Sequence, residues 1–372
     1  MSTHLEIIVL AAGQGTRMRS ALPKVLHPLA GKPLLSHVLD TAQQLEPTGM
    51  HVVYGHGGKQ VIDALEEKPV HWAEQVEQLG TGHAVAAALP SVSEEATVLI
   101  LYGDVPLIGR STLQRLVDAA SGDHLVLLTA FLDDPHGYGR IIRDHKGRVQ
   151  RIVEQKDAST EERNVREVNT GMMAMPAARL KEWLGRVEND NVQGEYYLTD
   201  IIVLARSDGI AVEAVVDDDL EEILGVNDRS QLAALERIYQ RRRAEELMRG
   251  GATLIDPARF DLRGTLRVGR DVSIDANVII EGEVFLGDNV TIGANCILRD
   301  ANIGNGTRIE PMSVVEQAEI GPECQVGPFA RIRPGTEMAE KAKVGNFVEV
   351  KKSRIGAGSK VNHLSYVGDT QM

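Results

Sequence analysis

Cysteine is nearly absent from this chain. Its 372 residues include only two, Cys296 and Cys324, which are too few and too far apart for a disulfide framework or a zinc knuckle. Each follows an apolar residue of a regular repeat, Ile292 or Ile320, by four positions, which predicts a place in a turn or a wall. A chain without disulfides suits a reducing compartment, so we expect a cytoplasmic protein.

Long apolar runs and an excess of positive charge are also lacking. No stretch of eighteen apolar residues occurs, and no basic segment precedes an apolar one at the N-terminus. We therefore expect neither a membrane span nor a secretory signal. Fifty-three acidic against 40 basic residues give a net charge of −13, which disfavours nucleic acid or an anionic membrane as the main partner. A local basic cluster can still bind phosphate.

A ladder of eighteen apolar residues occupies the last part of the chain. Fourteen of its seventeen steps are six residues long, three are five, and half of its members precede a glycine. The members are Val268, Ile274, Ile280, Leu286, Ile292, Leu298, Ile303, Ile309, Val315, Ile320, Val326, Ile332, Met338, Val344, Val350, Ile355, Val361 and Val367. This period is typical of a parallel β-helix of hexapeptides. We expect the ladder to face a narrow core and the glycines to supply backbone freedom at the turns.

The first 227 residues alternate short apolar runs with amphipathic stretches, which is the pattern of an α/β domain. Strands are predicted over Leu5–Leu10, His51–Tyr54, Thr97–Tyr102 and Leu125–Ala130. Such apolar strands between helices indicate a mostly parallel sheet that is covered on both faces. Gly139–Val153 and Glu167–Met175 look like hairpins, which makes a mixed edge of the sheet plausible.

A charged helix is predicted between the two patterns. Asp228 is a candidate N-cap, and the helical pattern runs to Gly250-Gly251. We interpret residues 228–250 as a helical linker between a domain of residues 1–227 and one of residues 251–372. A dimerising coiled coil is the alternative, but the heptad pattern lasts for only about three repeats.

A loop of small residues follows the first predicted strand directly. It reads Leu10-Ala-Ala-Gly-Gln-Gly-Thr-Arg-Met18, and Pro23-Lys24 comes shortly after it. Backbone N–H groups in such a loop can cradle phosphates, and Arg17 and Lys24 add positive charge on either side. Gly13-x-Gly15 alone is weak evidence, and a plain structural turn is the alternative. The Walker and dinucleotide-binding patterns are not matched.

Several segments together resemble one bacterial enzyme family. Besides the loop, they are Tyr54-Gly-His-Gly-Gly58, Glu77-Gln-Leu-Gly-Thr-Gly-His83, Leu101-Tyr-Gly-Asp-Val-Pro-Leu107 and Gly194-Glu-Tyr-Tyr-Leu-Thr-Asp200. With the hexapeptide ladder, they resemble the bifunctional N-acetylglucosamine-1-phosphate uridylyltransferase/glucosamine-1-phosphate N-acetyltransferases along essentially the whole chain. The resemblance implies an N-terminal Rossmann-like, mostly parallel nucleotidyltransferase domain. It also implies a C-terminal left-handed parallel β-helix and a homotrimer.

The resemblance implies an activity for the first domain. UMP would pass from UTP to N-acetylglucosamine 1-phosphate, giving pyrophosphate and UDP-N-acetylglucosamine for peptidoglycan and lipopolysaccharide synthesis. Arg17 and Lys24 would be catalytic residues on the triphosphate, and Asp104 and Asn227 would bind Mg²⁺. Independently of the resemblance, Asp104 directly follows a predicted strand, where open α/β sheets place their ligands. A turn or cap residue is the alternative reading of Asp104.

Other nucleotide- and sugar-binding residues are carried over from the same resemblance. Uracil would be recognised by Gln75, Gly80, Thr81 and the backbone of Leu10, Ala11, Ala12 and Gly13. The sugar would be recognised by Gly139, Glu154 and Asn169, with Tyr102 and Gly103 lining the cleft. Taken singly, each of these is an ordinary surface residue.

The ladder register predicts a second site. Arg333 follows Ile332 and Lys351 follows Val350, three hexapeptides later, so the two cations stack about 4.8 Å apart on one face of the coil. Their repulsion is relieved either by an anion such as a phosphate or by water.

The resemblance implies a reaction at this second site. His363 would take a proton from the amine of glucosamine 1-phosphate as that amine attacks the thioester of acetyl-CoA. Arg333, Lys351 and Tyr366 would bind the substrate.

Members of the family continue past the position of Met372 with further coils that complete the acetyl-CoA site. We therefore expect a C-terminally truncated, incomplete acetyltransferase domain with impaired acetyl transfer. Two alternatives for the whole chain stay open. One is a pyrophosphorylase for another pair of sugar and nucleotide, and the other is a non-catalytic regulatory scaffold, which the intact Arg17, Lys24 and Asp104 disfavour.

Overall fold

The computed structural model of the protein describes residues 4–55, 57–120 and 122–372. His56, in the middle of the Tyr54–Gly58 motif, lies outside these residues. The chain divides into one unit of residues 1–28 with 33–232 and a second of residues 29–32 with 233–372. Within the described ranges, no helix is both long enough and apolar enough to cross a membrane.

The first unit is built from alternating strands and helices. The strands of this part of the chain are β1 (Leu5–Leu10), β2 (Pro28–Leu29), β3 (Lys32–Pro33), β4 (Gly49–Tyr54), β5 (His71–Glu74), β6 (Thr97–Tyr102), β7 (His124–Phe131), β8 (Gly139–Arg143), β9 (Val149–Val153), β10 (Glu167–Pro176) and β11 (Ala211–Val216). The helices are α1 (Leu34–Gln43), α2 (Gly58–Ala64), α3 (Thr81–Ala88), α4 (Arg110–Ala119), α5 (Ala177–Leu184) and α6 (Ile201–Ser207). Helix α7 (Arg229–Arg249) begins in the first unit, and most of its residues belong to the second. Short 3₁₀ turns cover Thr16–Met18, Lys24–Leu26, Leu89–Ser91, Glu162–Asn164 and Leu198–Asp200 in the first unit, and Pro257–Arg259 in the second.

Strands β1 and β4–β11 form one mixed sheet in the order β11-β7-β10-β6-β1-β4-β5, with β8 paired to β10 and to β9, and β2 pairs with β3 in a separate two-stranded sheet. β1 lies parallel to both β4 and β6, whereas β10 lies antiparallel to both β6 and β7. The predicted α/β fold is confirmed. The antiparallel strand lies inside the sheet rather than at the predicted mixed edge, because β10 is buried along nearly its whole length and suits an interior position.

Both faces of this sheet carry apolar layers, as the strand pattern predicts. In β1, Ile7 and Val9 pack into one layer while Ile8 and Leu10 pack into the other, and all four are buried. The register places Leu10 beside Val53 of β4 and Tyr102 of β6. The loops that follow these three parallel strands therefore meet at one edge of the sheet, where ligands bind in open α/β folds.

The second unit contains short strands on every coil. They are β12 (Thr253–Leu254), β13 (Phe260–Val268), β14 (Ser273–Ile274), β15 (Val278–Leu286), β16 (Thr291–Ile292), β17 (Ile297–Ile303), β18 (Arg308–Ile309), β19 (Val314–Glu316), β20 (Ala318–Ile320), β21 (Gln325–Val326), β22 (Arg331–Ile332), β23 (Thr336–Met338), β24 (Lys343–Asn346), β25 (Glu349–Lys351), β26 (Arg354–Ile355), β27 (Lys360–His363) and β28 (Tyr366–Gly368).

Parallel pairing stacks the coils at a spacing of 17 or 18 residues. On one face, each residue pairs with its counterpart on the next coil. Ile274 pairs with Ile292, Ile292 with Ile309, and Ile309 with Val326. The ladder residues are buried in one apolar core, apart from Val268 and Val367, which are partly buried against it. This arrangement is consistent with the predicted left-handed parallel β-helix.

The two cysteines lie inside this β-helix. Both side chains are buried in the core, and their thiols donate to the carbonyls of Glu310 and Ala339 at 3.2 and 3.0 Å. Each cysteine lies between a turn and the strand that follows it, β17 or β21, and its side chain faces the core. Burial raises the pKa of each thiol, which makes both unreactive as nucleophiles.

The ladder glycines have a different role from the predicted one. Of the nine that follow ladder residues, only Gly327 has a positive φ. A Cβ on Gly321 would lie 2.7 Å from the carbonyl oxygen of Met338 in the next coil, and one on Gly304 would lie 2.6 Å from the carbonyl carbon of Gly321. These glycines are needed because the coils approach too closely for a side chain. Left-handed turn positions are instead held by residues such as Asn277, Asn295 and Phe329.

Helix α7 begins as predicted and is joined to the second unit. The Asp228 carboxylate caps it by accepting from the Gln231 N–H at 2.9 Å. Gln240 is buried, accepts from the N–H of Leu262 at 2.7 Å and donates to the Leu262 carbonyl at 3.0 Å. The Gln240 side chain of the predicted linker thus satisfies both backbone groups of Leu262 in β13, the first long strand of the β-helix.

Replacing Gly321 by alanine should destabilise the β-helix by about 1–3 kcal/mol, because the added methyl group meets backbone atoms that cannot move independently. Differential scanning calorimetry measures the change. Gly185→Ala is the control, since Gly185 has a helical φ of −68° and its Cβ would meet nothing closer than 3.5 Å. Equal stability of the two variants would contradict the close-approach explanation.

Candidate active site

The loop after β1 passes closely over Lys24. The Ala11 N–H donates to the Val53 carbonyl at 2.8 Å, which fixes the start of the loop against β4. Gly15 has a φ of 61°, and a Cβ there would lie 2.6 Å from the Cβ of Lys24. Only glycine meets both requirements, so the loop and Lys24 are held together by their backbones.

Lys24 forms an ion pair with Asp104. The ammonium group donates to Oδ2 of Asp104, and the two side chains are only 13% and 16% exposed. Lys24 lies on the 3₁₀ turn Lys24–Leu26, and Asp104 follows the buried strand β6. The predicted cation and the predicted metal ligand are thus in direct contact, in surroundings where charges are poorly screened by water.

Arg17 and Asn227 lie beside this ion pair. The Arg17 guanidinium donates to Oδ1 of Asn227 at 2.9 Å. The N–H of Val226 donates to the carbonyl of Asp104 at 2.9 Å, which brings Asn227 to the end of β6. Residues separated by more than 200 positions therefore converge at the carboxyl edge of the sheet.

The oxygen atoms of Asp104 and Asn227 suit a hard divalent cation. A carboxylate and an amide oxygen line the same cleft, and Mg²⁺ prefers oxygen ligands. In the part of the chain that the structure describes, no group of three or more His, Cys, Asp or Glu side chains could hold a metal ion. This donor set fits Mg²⁺, which commonly takes one or two protein ligands and completes its shell with water and phosphate oxygens.

The nucleotide end of the cleft contains Gln75, Gly80 and Thr81. Gln75 is buried, and its Nε2 donates to the Gly80 carbonyl at 3.0 Å. Gly80 has a φ of 111°, and a Cβ there would lie 2.6 Å from the Tyr196 carbonyl oxygen. The Thr81 hydroxyl accepts from the Leu198 N–H at 3.0 Å. These bonds hold a polar amide and exposed backbone at a fixed position beside the loop.

The sugar end brings together Gly139, Glu154 and Asn169. Gly139 pairs with Asn169 across β8 and β10, and a Cβ on Gly139 would lie 3.3 Å from Oε1 of Glu154. That Oε1 accepts from the Thr199 hydroxyl at 3.2 Å. Burial raises the pKa of Glu154, and Asp157 and Asp200 add to this, while the Thr199 hydrogen bond opposes it.

Two adjoining pockets contain most of the predicted residues. The larger, of about 390 Å³, is lined by Leu10, Ala11, Ala12, Gly13, Lys24, Gln75, Gly80, Thr81, Tyr102, Asp104 and Asn227. The other shares Thr81, Tyr102 and Glu195 with it and contains Gly139, Glu154 and Asn169. Gly103 donates its N–H to the Leu10 carbonyl at 2.9 Å. The lining residues that were not predicted from the sequence are Gln14, Val25, Gln78, Ala84, Gly137, Tyr138, Thr170, Gly171, Gln193, Glu195, Tyr197 and Thr199.

Several of these residues, although not predicted, lie within the motifs that carry the family resemblance. Glu195, Tyr197 and Thr199 belong to Gly194–Asp200, and Gln14 lies in the loop of small residues, Leu10–Met18, which we call the phosphate loop. Tyr138 directly precedes Gly139. Membership of these motifs was the available signal, but the motifs alone do not indicate which side chains face the pocket.

The residues predicted for the second site lie on neighbouring coils of the β-helix. The Arg333 N–H donates to the Val350 carbonyl at 2.8 Å, which places Arg333 in register with Lys351. Arg333 also donates to Oε1 of Glu349 at 2.6 Å. Tyr366 pairs with Glu349 on the next coil and is 63% exposed. A carboxylate therefore lies beside the two stacked cations, and the spacing of the ladder does not predict it.

His363 lies on the last coil and is exposed. Its register partner is Asn346 on the coil before, across β24 and β27. The imidazole is accessible from outside the β-helix.

Known proteins resemble this chain over both units. The model of the MobA-like NTP transferase domain matches residues 7–254, and that of the GMPPB C-terminal domain matches residues 262–370. The bifunctional protein GlmU of Azoarcus sp. (strain BH72) is 60% identical over 99% of this chain and 81% of the relative. The one from Alkalilimnicola ehrlichii is 55% identical over 100% of this chain and 80% of the relative. The chain belongs to the GlmU family of bifunctional proteins.

GlmU membership and the NTP transferase match make the chain an enzyme, a nucleotidyltransferase. A relative from Burkholderia orbicola, at 58% identity over 99% of this chain and 81% of its own length, carries the same name. A GlmU-family nucleotidyltransferase acts on nucleotide and sugar-phosphate substrates and uses a divalent metal ion, in keeping with the oxygen donors of the cleft. Nothing in these matches favours a regulatory scaffold.

Replacing Glu154 by glutamine should stabilise the first unit at neutral pH. Because the folded state raises the pKa of Glu154, keeping it ionised costs stability once the pH exceeds its folded pKa. The melting temperature of Glu154→Gln should exceed that of wild type at about pH 8, and the gap should close at about pH 4, where both side chains are neutral.

Thermal melts over a pH series measure this difference. Glu161→Gln is the matched control, because Glu161 is exposed and should show the same melting curve as wild type at each pH. A Glu154→Gln variant that melts below wild type at about pH 8 would refute the sign of the pKa shift.

Proposed function

We propose that the first unit transfers UMP from UTP to N-acetylglucosamine 1-phosphate, giving UDP-N-acetylglucosamine and pyrophosphate. The observation that carries this proposal is the Lys24–Asp104 ion pair in the larger pocket, which adjoins the smaller one through Thr81, Tyr102 and Glu195. A phosphate oxygen of the sugar 1-phosphate attacks the α-phosphorus of UTP, and the bond from that phosphorus to the β-phosphate oxygen breaks. The attacking oxygen is already anionic, so the step needs no general base.

Charge neutralisation is the main task of the cleft. The two substrates together carry several negative charges, and their mutual repulsion opposes the approach of the reacting atoms. Lys24 and Arg17 would bind the triphosphate and favour the departing pyrophosphate. Asp104 and Asn227 would hold Mg²⁺, which supplies further positive charge to the phosphates when it is bound.

Binding of the triphosphate must rearrange the polar contacts of the cleft. Lys24 donates to Asp104, and Arg17 donates to Asn227. For the cations to reach phosphate oxygens and the oxygen ligands to reach a metal ion, both contacts have to exchange partners. The exchange replaces the Lys24–Asp104 ion pair and the Arg17–Asn227 hydrogen bond with contacts between opposite charges, which offsets the cost of breaking them.

Recognition of the base and the sugar follows from the fixed polar groups. The side-chain hydrogen bonds of Gln75 use its Nε2, which leaves Oε1 to accept from the imide N–H of uracil. Backbone groups of the loop Leu10–Gly13 and of Gly80 would complete the pairing. Glu154 and Asn169 would bind the hydroxyl and acetamido groups of the sugar.

We also propose that the second unit binds glucosamine 1-phosphate for acetylation by acetyl-CoA. The phosphate would lie near Arg333 and Lys351, and His363 would take the proton that the amine loses as it forms the amide bond and the thiolate of coenzyme A leaves. Support comes from the register that stacks these cations and from the exposure of His363 and Tyr366.

Thiol release from acetyl-CoA in the presence of glucosamine 1-phosphate tests the role of His363. His363→Ala should lower the rate about 100-fold or more, because it removes the proposed base. His145→Ala, an exposed histidine of the first unit, is the matched control. An unchanged rate in His363→Ala would contradict the assignment of His363 as the base.

A homotrimer is proposed for this chain as well. An exposed apolar column on one corner of the β-helix supports association of copies. It consists of Met312, Phe329, Phe347 and Leu364, which are 48–77% exposed, and the two Phe rings stack with centroids 5.0 Å apart. Light scattering measures the mass, and a monomer would overturn the proposal.

The uridylyl transfer is tested by pyrophosphate release from UTP, N-acetylglucosamine 1-phosphate and Mg²⁺. Asp104→Asn keeps the volume of the side chain but removes its charge, and it should lower the rate about 100-fold or more. Asp118→Asn on the exposed face of α4 is the control and should retain the wild-type rate. Absence of product with wild type, or an undiminished rate in Asp104→Asn, would overturn the proposed function.

A further inference from the structure

Arg140 is a buried arginine with uncharged partners. Its side chain is among the largest fully buried ones, and the residue is 1% exposed. The guanidinium donates to the Tyr138 carbonyl, to Oε1 of Gln155 at 2.7 Å and to the Arg163 carbonyl at 3.5 Å. Its Nε is buried without a partner. Its hydrogen-bond acceptors are all uncharged, and Asp134 acts on it electrostatically without a hydrogen bond.

Such an arrangement is costly. A buried charge without a hydrogen-bonded counter-ion loses hydration that neutral acceptors restore only in part. Arg143 on the same strand is instead paired with a carboxylate, as a poorly hydrated arginine usually is. It donates to both carboxylate oxygens of Glu167 at 2.6 and 2.7 Å. Burial and the neighbouring Arg163 lower the pKa of Arg140, and Asp134 opposes them, but a guanidinium stays protonated in proteins. The position of Arg140 therefore calls for a functional explanation.

The groups held by Arg140 belong to both walls of the sugar pocket. Tyr138, whose carbonyl accepts from the guanidinium, directly precedes Gly139. Gln155, the second partner, directly follows Glu154, and its Oε1 also accepts from the Gly137 N–H at 3.3 Å. Arg140 and Gln155 thus connect the segment before β8 to the segment after β9.

Tyr138 extends this connection toward the reacting phosphates. It lines the sugar pocket together with Tyr102, and Tyr102 also lines the larger pocket that contains Asp104. A shift of the segment before β8 would move Tyr138 and Gly139 together.

We propose that Arg140 is a positioning residue for the sugar 1-phosphate, acting through Tyr138, Gly139 and Gln155 to hold the two walls of the sugar pocket at a fixed separation. An anionic substrate in the adjoining pocket also lowers the cost of burying this charge, which Asp134 offsets only in part. This inference rests on the proposed uridylyl transfer. It goes further by assigning a role to a residue that touches neither substrate.

Steady-state kinetics with each substrate varied in turn test the role of Arg140. Arg140→Lys keeps the charge but loses the planar fork, and it should raise the KM for N-acetylglucosamine 1-phosphate about tenfold, since one or two hydrogen bonds to charged donors are lost. Arg140→Met should raise it further. The KM for UTP should stay within about twofold of wild type, because the nucleotide end of the cleft makes no contact with Arg140.

Two further variants make the outcome decisive. Arg143→Lys is the matched control, an arginine on the same strand whose ion pair a lysine can keep, and it should leave both KM values unchanged. Gln155→Ala removes the bridge while leaving Arg140 in place, and it should raise the KM for the sugar phosphate selectively. If the Arg140 variants fail to fold, Gln155→Ala still tests whether the bridge positions the sugar phosphate.

The inference is overturned if soluble Arg140 or Gln155 variants change the KM values for both substrates equally, or lower only kcat and thermal stability. That outcome would mean a purely structural role. A wild-type protein that forms no UDP-N-acetylglucosamine would instead refute the proposed function, so the two failures are distinguishable.

Discussion

The pairing of Lys24 with Asp104 is the interaction on which the first site depends. It places a cation and an anion in a poorly hydrated cleft that must accept two phosphate-bearing substrates. Gly15 is required because the phosphate loop crosses directly over Lys24. The bond from Val226 to the Asp104 carbonyl brings Asn227 to the same point. The loop, the end of β6 and the segment before α7 thus converge around one pair of charges.

The second unit obeys a different constraint, the distance between successive coils. Where Gly304 and Gly321 lie, the backbone of the next coil leaves no space for a Cβ atom. The same repeat stacks Arg333 over Lys351, and Glu349 partly balances their charge. Regular stacking therefore brings polar side chains from successive coils together on the outside, while the ladder fills the inside.

Much of the fold could be predicted because its signals are local. The bounds of β1 and β6 match the predicted strands, since short apolar runs bounded by small or polar residues determine both. The place of β10 inside the sheet was missed, because strand partners depend on contacts between distant segments. Arg140 and Arg143 look equivalent in the sequence Gly-Arg-Ile-Ile-Arg. Only the folded chain shows that one is paired with a carboxylate and the other is buried among neutral acceptors.

The central claim is that the sugar phosphate attacks the α-phosphorus of UTP in this cleft. Phosphorus-31 NMR of the protein with UTP, N-acetylglucosamine 1-phosphate and Mg²⁺ tests it most directly, because each product has its own resonances. The account predicts that the UTP signals are replaced by those of pyrophosphate and a sugar-linked diphosphate in equal amounts. Formation of UDP with a sugar diphosphate, or persistence of the UTP signals, would contradict it.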